Sequence, residues 1–563
     1  MRLFSFLIVF SLFQLTFAQK EADVNARFKA DISYLASDQL EGRLTGSSGE
    51  NRSSLYIADE FKKFKLSPMG DSGSYLQNFS IIRLRISQNR LPLLLKENTG
   101  RIREIRFEKG VFYPLAQSCN KDSVINAPVF QAGYGIMAND LNHNDYKDTS
   151  GIRGKVFVIK IGSPEANNPH GKFEAYEGIN YKVDLAIRMG ARGVVFINTD
   201  SALENPKGFL DRNVMPRSIP VIFITGYNDA LLDAASITYR VSIVQMNSTA
   251  HNVLGYINNK KKSTIVIGAH QDHLGYNEYG GSRDVKGGAI HNGADDNASG
   301  VAMMLELMRT IKKDKKLRKH NYLFVAFSGE EQGLLGSNYF VKHPTIDTSQ
   351  ISYMLNFDMV GRLDSARKTL MIYGVGTSPV WKPAVSNLKT DSTQIKIKTS
   401  ESGTGASDHT SFYYANIPVL HFFTGQHYDY HMPSDDEHLI NYHGMFLVYD
   451  VTMQMIKGVN KKKAFPFTPT KSEESEKMNF KVTLGIMPDY IYDGTGVRVD
   501  GVSMGKPAQI AGLLKGDVIT KLGQYTISSM KDYMAALGKF KKGDSTTVIV
   551  KRGNEEMTFT VTF

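Results

Sequence analysis

Apolar strands that alternate with helical segments between residues 252 and 458 restrict the fold of this chain more than any other feature. The predicted strands are short apolar runs at residues 264–268, 322–327, 351–357 and 418–423. Strands that alternate with helices usually pair in parallel, because each helix carries the chain back along the sheet. We therefore predict an α/β fold with a mostly parallel central sheet sandwiched between helices.

The length of the chain requires further domains. At 563 residues it exceeds what one hydrophobic core organises, so we expect three or four domains. Residues 23–66 predict two helices around a glycine-rich turn. The predicted organisation is a discontinuous central domain at 19–112 and 247–458, a β-rich insert at 113–246, a linker at 459–477, and a small α+β unit at 478–563.

The N-terminus has the pattern of a secretory signal peptide. Arg2 precedes an apolar run that extends to Phe17, and the small residue Ala18 follows, as at a cleavage point. The run is shorter than the roughly 20 residues of a membrane span, although a retained anchor is the alternative. We predict that residues 1–18 are removed, and that the mature chain is exported to the periplasm or the medium without an integral membrane segment.

Charge and cysteine content narrow the expected partners. The net charge is +11, and the densest basic run, residues 312–319, ends a predicted helix, where cations offset the helix dipole. No nucleic-acid-binding motif accompanies this run, so we expect no nucleic-acid partner. Cys119 is the single cysteine, so an internal disulfide is excluded, and hydrophobic cores or bound metal must stabilise the exported protein.

Histidine and acidic residues follow the predicted strands at five points. In open α/β sheets ligands bind outside the carboxyl ends of the strands, so these residues are expected to meet. Each segment alone is weak evidence, because a lone histidine is usually structural and an Asp-Asp pair often caps a helix. Their occurrence in order within one domain favours a common site. The segments are GAHQDHLG (268–275), GADDNASG (293–300), SGEEQG (328–333), NFDMVG (356–361) and YHMPSD (430–435).

Such a set of residues suits zinc chemistry. Zinc accepts imidazole nitrogen and carboxylate oxygen, and two zinc ions about 3.5–4 Å apart need a shared carboxylate and can hold one bridging water. A neighbouring carboxylate that binds no metal can take a proton from that water and pass it to a leaving amine. In the Glu330-Glu331 pair, one glutamate could bind metal while its neighbour acts as the base.

These segments, together with EGRLTGSSGE at residues 41–50, resemble the zinc aminopeptidase family that includes the secreted bacterial leucyl aminopeptidases and glutamate carboxypeptidase. The resemblance covers nearly all of residues 25–112 and 247–458. It implies two Zn²⁺ ions per chain, bridged by Asp296, with Glu330 as general base. It pairs the remaining ligands as His270 with Glu331 on one zinc, and Asp358 with His431 on the other.

The resemblance also implies supporting roles beside the metals. Asp272 is expected to orient the His270 ring, as metal-bound histidines usually require. Tyr430 is similar to a tyrosine that steadies the tetrahedral oxyanion in part of the family, and simple packing beside His431 is the alternative. Structural or supporting roles without metal contact are expected for His273, Asp295, Asp408 and His409.

Two further units resemble known accessory domains. In the insert, KVFVIKIG (155–162), MGARGVVFINTD (189–200) and IPVIFITG (219–226) resemble a protease-associated (PA) domain, which shapes access to an active site without catalytic residues. The unit from residue 478 resembles a bacterial PDZ domain through PAQIAGLLKGDVITKLG (507–523). Its predicted carboxylate-binding loop is Leu484, Gly485 and Ile486, which would offer backbone N–H groups to a peptide C-terminus.

The sequence thus predicts an exported di-zinc aminopeptidase that acts on peptides with a free N-terminus. The alternatives are a carboxypeptidase, a glutaminyl cyclase-like enzyme with a single zinc, or a non-catalytic peptide-binding scaffold. A carboxypeptidase needs a cation for the substrate carboxylate, for which Arg43 and Arg362 are candidates, although pairing with local acids is the preferred interpretation for both. Cobalt or manganese could occupy nitrogen and oxygen sites of this kind.

Overall fold

The computed structural model describes most of the chain. For residues 2–18, 84–86, 243–245, 487, 500 and 531 it describes the backbone alone, so the side chains of the predicted signal peptide lie outside the described part. The following residues also lie outside the described part: 1, 87–91, 107–110, 116, 120–122, 166–170, 202, 204, 207–216, 242, 285–287, 391–393, 471–481, 490, 491, 493 and 503–505.

The N-terminal part contributes two helices and the first strands. Ser47 ends the glycine-rich turn and caps the second helix, since its side chain accepts a hydrogen bond from the backbone N–H of Glu50. The first helix packs against two later helices of the central domain. The elements are α1 (Arg2–Leu35), α2 (Ser48–Lys63), β1 (Ser67–Pro68) and β2 (Leu76–Ile86).

A second sheet follows, whose strands come in the order β4-β3-β12-β6-β9-β10-β11-β5. Strand β3 pairs with β12, for example Leu95 opposite Ile237, and β4 pairs with β3, so the sheet reaches back beyond the predicted start of the insert at residue 113. The sequence predicted only the middle of this unit, where runs of β-branched residues indicate strands. Its elements are β3 (Leu93–Glu97), β4 (Ile102–Ile105), β5 (Phe112–Pro114), β6 (Ser123–Gln131), β7 (Met137–Ala138), β8 (His143–Asn144), β9 (Val156–Lys160), α3 (Ile179–Arg188), β10 (Gly193–Ile197), β11 (Val221–Ile224), α4 (Asn228–Leu232) and β12 (Ala234–Val241).

The central sheet has the strand order β1-β13-β15-β14-β16-β19-β17-β18, with β2 also paired to β13. Its middle is parallel, because β14 pairs in parallel with both β15 and β16, and β16 pairs in parallel with β19. Antiparallel pairing is confined to the flanks, at β13 and between β17 and β19. The elements are β13 (Ile243–Ile257), β14 (Thr264–His270), α5 (Gly300–Lys313), β15 (Asn321–Phe327), α6 (Leu335–Lys342), β16 (Ile351–Phe357), β17 (Thr369–Tyr373), α7 (Trp381–Ser386), β18 (Lys396–Thr399), α8 (His409–Tyr414), β19 (Val419–Phe423) and α9 (Tyr442–Val459).

Helices cover both faces of this sheet. Along β14, Ile265 and Ile267 pack into a core shared with α1, α5 and α9, whereas Val266 packs on the other face against α6 and α8. Because neighbouring residues of a strand point to opposite faces, a run that is apolar at every position belongs to a strand buried on both sides. The predicted α/β layer fold is thus confirmed.

The C-terminal unit has a hydrophobic core drawn from its own residues. The segment before it differs from a free linker, because Phe465 is buried against the rings of Tyr353 and Trp381, and Thr470 contacts Tyr413. Sequence lacked a signal for this, since a single aromatic residue shows no periodicity. Its elements are β20 (Ile486–Pro488), β21 (Val497–Val502), α10 (Pro507–Ala511), β22 (Val518–Leu522), β23 (Tyr525–Thr526), α11 (Met530–Leu537), β24 (Ser545–Arg552) and β25 (Glu555–Thr562). Within the described residues, no helix combines the length and apolar character required to cross a membrane.

Candidate metal and catalytic site

The predicted site residues meet at the carboxyl ends of the central strands. His270 is the last residue of β14, Glu330 and Glu331 follow β15, and Asp358 follows β16 directly. Asp296 lies in the turn that leads into α5, and His431 comes from the loop after β19. Residues that are far apart in the chain gather here because parallel strands all end at the same edge of the sheet.

One group of donor atoms forms around His270. Its Nε2 lies 3.4 Å from Asp296 Oδ1 and 3.4 Å from Asp358 Oδ1. His270 is 1 % exposed, so these atoms face one another away from bulk solvent. The ring is held from behind by a contact of 3.1 Å between its Nδ1 and the backbone carbonyl of Asp272.

A second group forms around His431. Its Nε2 lies 3.2 Å from Asp296 Oδ2 and 3.2 Å from Glu331 Oε2. Asp296 therefore directs one carboxylate oxygen to each group. The predicted pairing is wrong, because His270 meets Asp358, whereas Glu331 meets His431. Strand β14 has neighbours on both sides, and the sequence does not reveal toward which of them the His270 ring turns.

The donor set fits zinc. With bonds of about 2.0–2.1 Å and tetrahedral angles, neighbouring ligand atoms are about 3.3 Å apart, close to the separations around His270 and His431. His270, Asp296 and Asp358 form one set whose donor atoms all lie within 4.8 Å of one another, and His273, Asp296 and Glu331 form another. Several carboxylates buried so closely repel one another unless a cation compensates them.

His273 belongs to this site more directly than the sequence indicated. It is fully buried, and its Nδ1 lies 2.8 Å from Glu331 Oε1 and 3.9 Å from Asp296 Oδ2. The ring therefore positions the Glu331 carboxylate. The sequence signal was its place in GAHQDHLG, three residues after His270, but a strand end does not reveal which way the chain turns next.

Asp272 supports the site through both its backbone and its carboxylate. The carboxylate accepts hydrogen bonds from Thr45 Oγ1 at 2.9 Å and from the backbone N–H of Glu330 at 3.1 Å. Its nearest oxygen is 3.8 Å from His270 Nδ1, so the backbone carbonyl makes the closer contact with the ring. Burial raises the pKa of the Asp272 carboxyl to about 6, and the Glu331 carboxylate acts in the same direction.

Glu330 lies beside the two groups of donor atoms around His270 and His431 and belongs to neither of the candidate metal-ligand sets among the described residues. Burial raises the pKa of the Glu330 carboxyl well above its usual value, and the Asp358 and Glu331 carboxylates raise it further. The His270 imidazole opposes this shift. Tyr430 stacks its ring on His431, with ring centroids 3.9 Å apart. This contact gives Tyr430 the packing role, and its predicted role at an oxyanion stays a prediction.

Asp295 and Asp435 hold the turn that carries Asp296. The Asp435 carboxylate accepts hydrogen bonds from the backbone N–H groups of Asp295 and Asp296, at 2.9 and 3.0 Å. Asp295 in turn lies 3.0 Å from His427 Nε2, a residue that sequence reasoning missed because it stands outside the five segments. The turn thus has a fixed shape, which directs the two oxygens of Asp296 to opposite sides.

The residues around Asp408 support Asp358 from the other side. Ser407 donates a hydrogen bond of 2.7 Å to Asp358 Oδ2. Burial raises the pKa of the Asp408 carboxyl to about 7. The His409 ring stacks on His421 with centroids 4.5 Å apart. Burial lowers the pKa of the His409 imidazole. Asp408 and His409 are therefore buried residues next to the site, and neither belongs to the donor groups around His270 and His431.

The two arginines considered for a substrate carboxylate differ in how far local contacts engage them. Arg43 is 1 % exposed and donates to the backbone carbonyls of Gln271, Asn292 and Gly293, among others. Arg362 forms an ion pair of 3.1 Å with Asp429. Pairing with a local acid, the preferred interpretation for both, is found for Arg362 but not for Arg43, which backbone carbonyls hold instead.

Comparisons with known proteins agree with this geometry. The sequence model of peptidase family M28 matches residues 252–456, and that of the PDZ domain matches residues 467–563. Aminopeptidase YwaD of Bacillus subtilis is 26% identical over 441 residues, which cover 73% of this chain and 81% of that protein. A probable leucine aminopeptidase of Arthroderma otae is 32% identical over 173 residues, covering 30% of this chain and 45% of the relative.

Among solved structures, the zinc aminopeptidase BSAP of Bacillus subtilis superposes with a TM-score of 0.51 at 25% identity, covering 78% of this chain and 96% of that one. The alignment therefore extends well beyond the M28 match alone. Together with the grouped histidines and carboxylates, these likenesses show a region similar to peptidase family M28 at residues 252–456, followed by a region that matches the PDZ domain at residues 467–563.

Proposed function

We propose that this chain is a zinc-dependent aminopeptidase that removes N-terminal residues from peptides with the help of two zinc ions. One observation carries the proposal. The Asp296 carboxylate directs one oxygen to His270 and Asp358 and its other oxygen to His431 and Glu331. The similarity to proteins named zinc aminopeptidase and aminopeptidase supports the choice of metal and of reaction.

The chain's own residues divide the work of such a reaction. His270 and Asp358 would hold one zinc ion and His431 and Glu331 the other, with Asp296 offering an oxygen to each group, and the bound metal would supply Lewis-acid chemistry. Glu330 takes the proton from the attacking water on its carboxylate and delivers it to the leaving amine. Asp272 holds the Glu330 backbone and the His270 ring in place, and His273 holds Glu331.

Metal content and turnover test this proposal together. We expect about two zinc ions per purified chain, and hydrolysis of a free-amine amino-acid anilide that chelation abolishes and zinc restores. Glu330→Gln should retain both metals yet lose at least ~10²-fold in kcat, because only the base is removed. Glu331→Gln is the matched variant, and it should lose metal as well as activity. A Glu330→Gln enzyme with near wild-type turnover would refute the mechanism.

The direction of attack is tested with blocked peptides. An aminopeptidase should cleave a peptide with an amidated C-terminus and spare the same peptide with an acetylated N-terminus. The internal hydrogen bonds of Arg43 count against a carboxypeptidase pocket at that residue. Cleavage of the acetylated peptide alone would reverse the assignment, and a single zinc with cyclisation of N-terminal glutamine would indicate a cyclase.

Export and the insert form a further part of the proposal. We infer that residues 1–18 act as a signal peptide cut after Ala18, so N-terminal sequencing of secreted material should begin at Gln19. The sheet of β3 to β12, with parallel β9, β10 and β11 beside α3, supports a PA-like unit without catalytic residues. An N-terminus that begins at Met1 on the exported chain would contradict cleavage.

We also propose that the PDZ domain holds long substrates by their C-termini. Strand β20 lies at the edge of its sheet among the described residues, so a peptide can pair with it. With the peptide carboxylate at Leu484–Ile486, the upstream residues must run along β20 toward Asp489, which forms an ion pair with Arg367 of the peptidase domain. A cavity of about 440 Å³, lined by Asp489, Arg362 and His427 among others, lies at this junction.

Paired substrates test this tether. A long peptide with a free C-terminus should have a lower KM than its amidated counterpart, and removal of residues 478–563 should abolish the difference. Short anilides should be cleaved equally well with and without this segment. Equal KM values for the free and amidated peptides in the full chain would refute tethering while leaving the aminopeptidase proposal intact.

A further inference from the structure

Three basic segments meet at the amino ends of the central strands, opposite the candidate site. One precedes β14, one precedes β15, and one follows α9. We call their exposed cationic side chains the basic patch, which consists of Lys260, Lys261, Lys262, Lys315, Lys316, Arg318, Lys319, Lys461, Lys462 and Lys463.

Hydrogen bonds between the segments fix their relative positions. Asn321 Nδ2 donates to the backbone carbonyl of Lys261 at 2.7 Å, and Asn460 Nδ2 donates to that of Lys316 at 2.8 Å. His320 is buried between them, with Nδ1 2.7 Å from Ser263 Oγ and Nε2 3.0 Å from the Asn460 carbonyl. The basic patch is therefore a built surface rather than three independent chain segments.

The charges of the basic patch are not neutralised by the protein. Among the described residues, no carboxylate lies within ion-pair distance of its ten cations, although ion pairs are frequent elsewhere in the chain. Nearby Asp314 accepts a hydrogen bond from the Lys316 backbone and lies 4.0 Å from Lys457, and Asp347 binds the Ser349 backbone. Like charges held together repel one another, so the patch favours an anionic partner.

The basic patch also has depth. A cavity of about 690 Å³ opens within it, lined by Lys262, Lys319 and Lys461–Lys463 together with hydroxyl groups such as that of Ser349. Ammonium and hydroxyl groups around a concave surface are suited to phosphate oxygens. The cavity can therefore bind phosphate groups, in addition to the electrostatic attraction of the whole patch for anions.

The composition of the basic patch favours a lipid surface over nucleic acid. Nine of its cations are lysines and one is arginine, so the bidentate and stacking contacts typical of nucleic-acid recognition are scarce. The three segments hold no exposed aromatic side chain on which a base could stack. Clusters of lysine at a protein surface are instead typical of attraction to anionic membranes.

We propose that the basic patch docks this protein on the anionic phospholipid surface of a membrane, with head-group phosphates in the cavity. The seven residues of β14 separate the patch from the metal-binding groups by roughly 20 Å, more than the screening length in salt. The docked protein would thus turn its catalytic face toward solution. From the sequence alone the run 312–319 is typical of a helix end, because the other two lysine segments are distant from it in the chain.

Sedimentation with vesicles tests this docking. The full chain should sediment with vesicles of equal parts phosphatidylglycerol and phosphatidylcholine, and remain in solution with phosphatidylcholine alone. The triple variant Lys461→Glu/Lys462→Glu/Lys463→Glu should lose at least about 100-fold in affinity for the anionic vesicles, since each lysine near such a surface contributes about fivefold. Raising the salt from about 0.15 M to 1 M should release the wild-type protein.

The matched control changes the same net charge elsewhere. Lys539, Lys542 and Lys551 are exposed in the C-terminal unit, and the triple variant that replaces them with glutamate should bind vesicles almost as the wild type does. Lys315→Gln/Lys316→Gln/Lys319→Gln provides a milder second variant if the first one misfolds, and free-amine anilide turnover reports folding. Equal losses in patch and control variants would overturn the proposal. So would tighter binding to a single-stranded oligonucleotide or polyglutamate than to the vesicles.

Discussion

At the scale of single residues, the site depends on close approaches that leave no space for an added methyl group. Gly293 has a φ of +58°, and a Cβ atom there would lie 2.2 Å from the Asp296 carbonyl oxygen and 2.6 Å from the His273 ring. Glycine is therefore required both for the backbone conformation and for the contact with two site residues.

Gly293→Ala should destabilise the peptidase domain by about 3 kcal/mol, because a left-handed alanine and an overpacked contact add their costs. Gly73 provides the matched control, since its φ is +77° and a Cβ atom there meets nothing within 4 Å. Gly73→Ala should cost about 1 kcal/mol, the dihedral effect alone. Denaturant unfolding measures both, and equal losses would contradict the importance of the contact.

At the scale of elements, one buried ion-pair network joins the helices that flank the site. Arg309 of α5 is 6 % exposed and donates to Asp31 of α1 at 2.6 Å and to Glu60 of α2 at 2.7 Å. Glu306 lies 3.7 Å away on the same helix. The network sets the position of α5, whose first turn follows Asp296.

Arg309→Leu should therefore cost about 3–5 kcal/mol, because three buried carboxylates lose their shared cation. Lys63→Leu is the control, since Lys63 pairs with the same Glu60 at 3.1 Å but is largely exposed. Its loss should stay below about 1 kcal/mol. Thermal unfolding followed by circular dichroism distinguishes the two, and a stable Arg309→Leu protein would argue against a structural role for the network.

A buried lysine makes the insert sensitive to pH. Lys182 of α3 donates to the backbone carbonyls of Lys160 and Gly162, and its burial lowers the pKa of the ammonium group to about 7. The folded insert therefore loses this proton at a pH where the unfolded chain, with a pKa near 10.5, still holds it. Stability should rise with pH across this window.

Between pH 7 and 9 the slope due to Lys182 should approach about 1.4 kcal/mol per pH unit. Lys182→Met should flatten the dependence of the insert's melting transition on pH, whereas Lys147→Met, at an exposed position, should leave it unchanged. Differential scanning calorimetry at several pH values provides the comparison. A wild-type slope retained in Lys182→Met would show that other groups cause it.

At the scale of the whole molecule, the domains have separate cores but an unexpected boundary. The apolar core of the C-terminal unit draws on residues from 482 onward, whereas Phe465 belongs to the core of the peptidase domain. Thr468 adds a backbone hydrogen bond of 2.9 Å to Thr377. The peptidase domain thus extends to about residue 470.

A chain that ends after Thr470 should keep the melting transition of the peptidase domain and its turnover of free-amine anilides. Phe465→Ala in that shortened chain should cost about 3 kcal/mol, because the ring packs 4.5 Å from Tyr353 between centroids. Calorimetry and anilide assays measure the two effects. Loss of the transition in the chain ending at Thr470 would mean that the C-terminal unit is needed for folding.

The sequence by itself determined the strand and helix pattern of the central domain and the residues that gather at its strand ends. These features are local, because apolar runs, glycine turns and the residues after a strand are set by a few neighbouring positions. His270, Asp296, Glu330, Glu331 and Asp358 each stand next to such a signal, and the structure does bring them together.

Only the tertiary structure decided which of these residues face each other. Lateral strand order places β14 between β15 and β16, and side-chain direction then pairs His270 with Asp358 and Glu331 with His431. The contact of His273 with Glu331 and the meeting of three lysine-rich segments have the same origin. Each depends on residues that are distant in the chain, and sequence spacing carries no record of their approach.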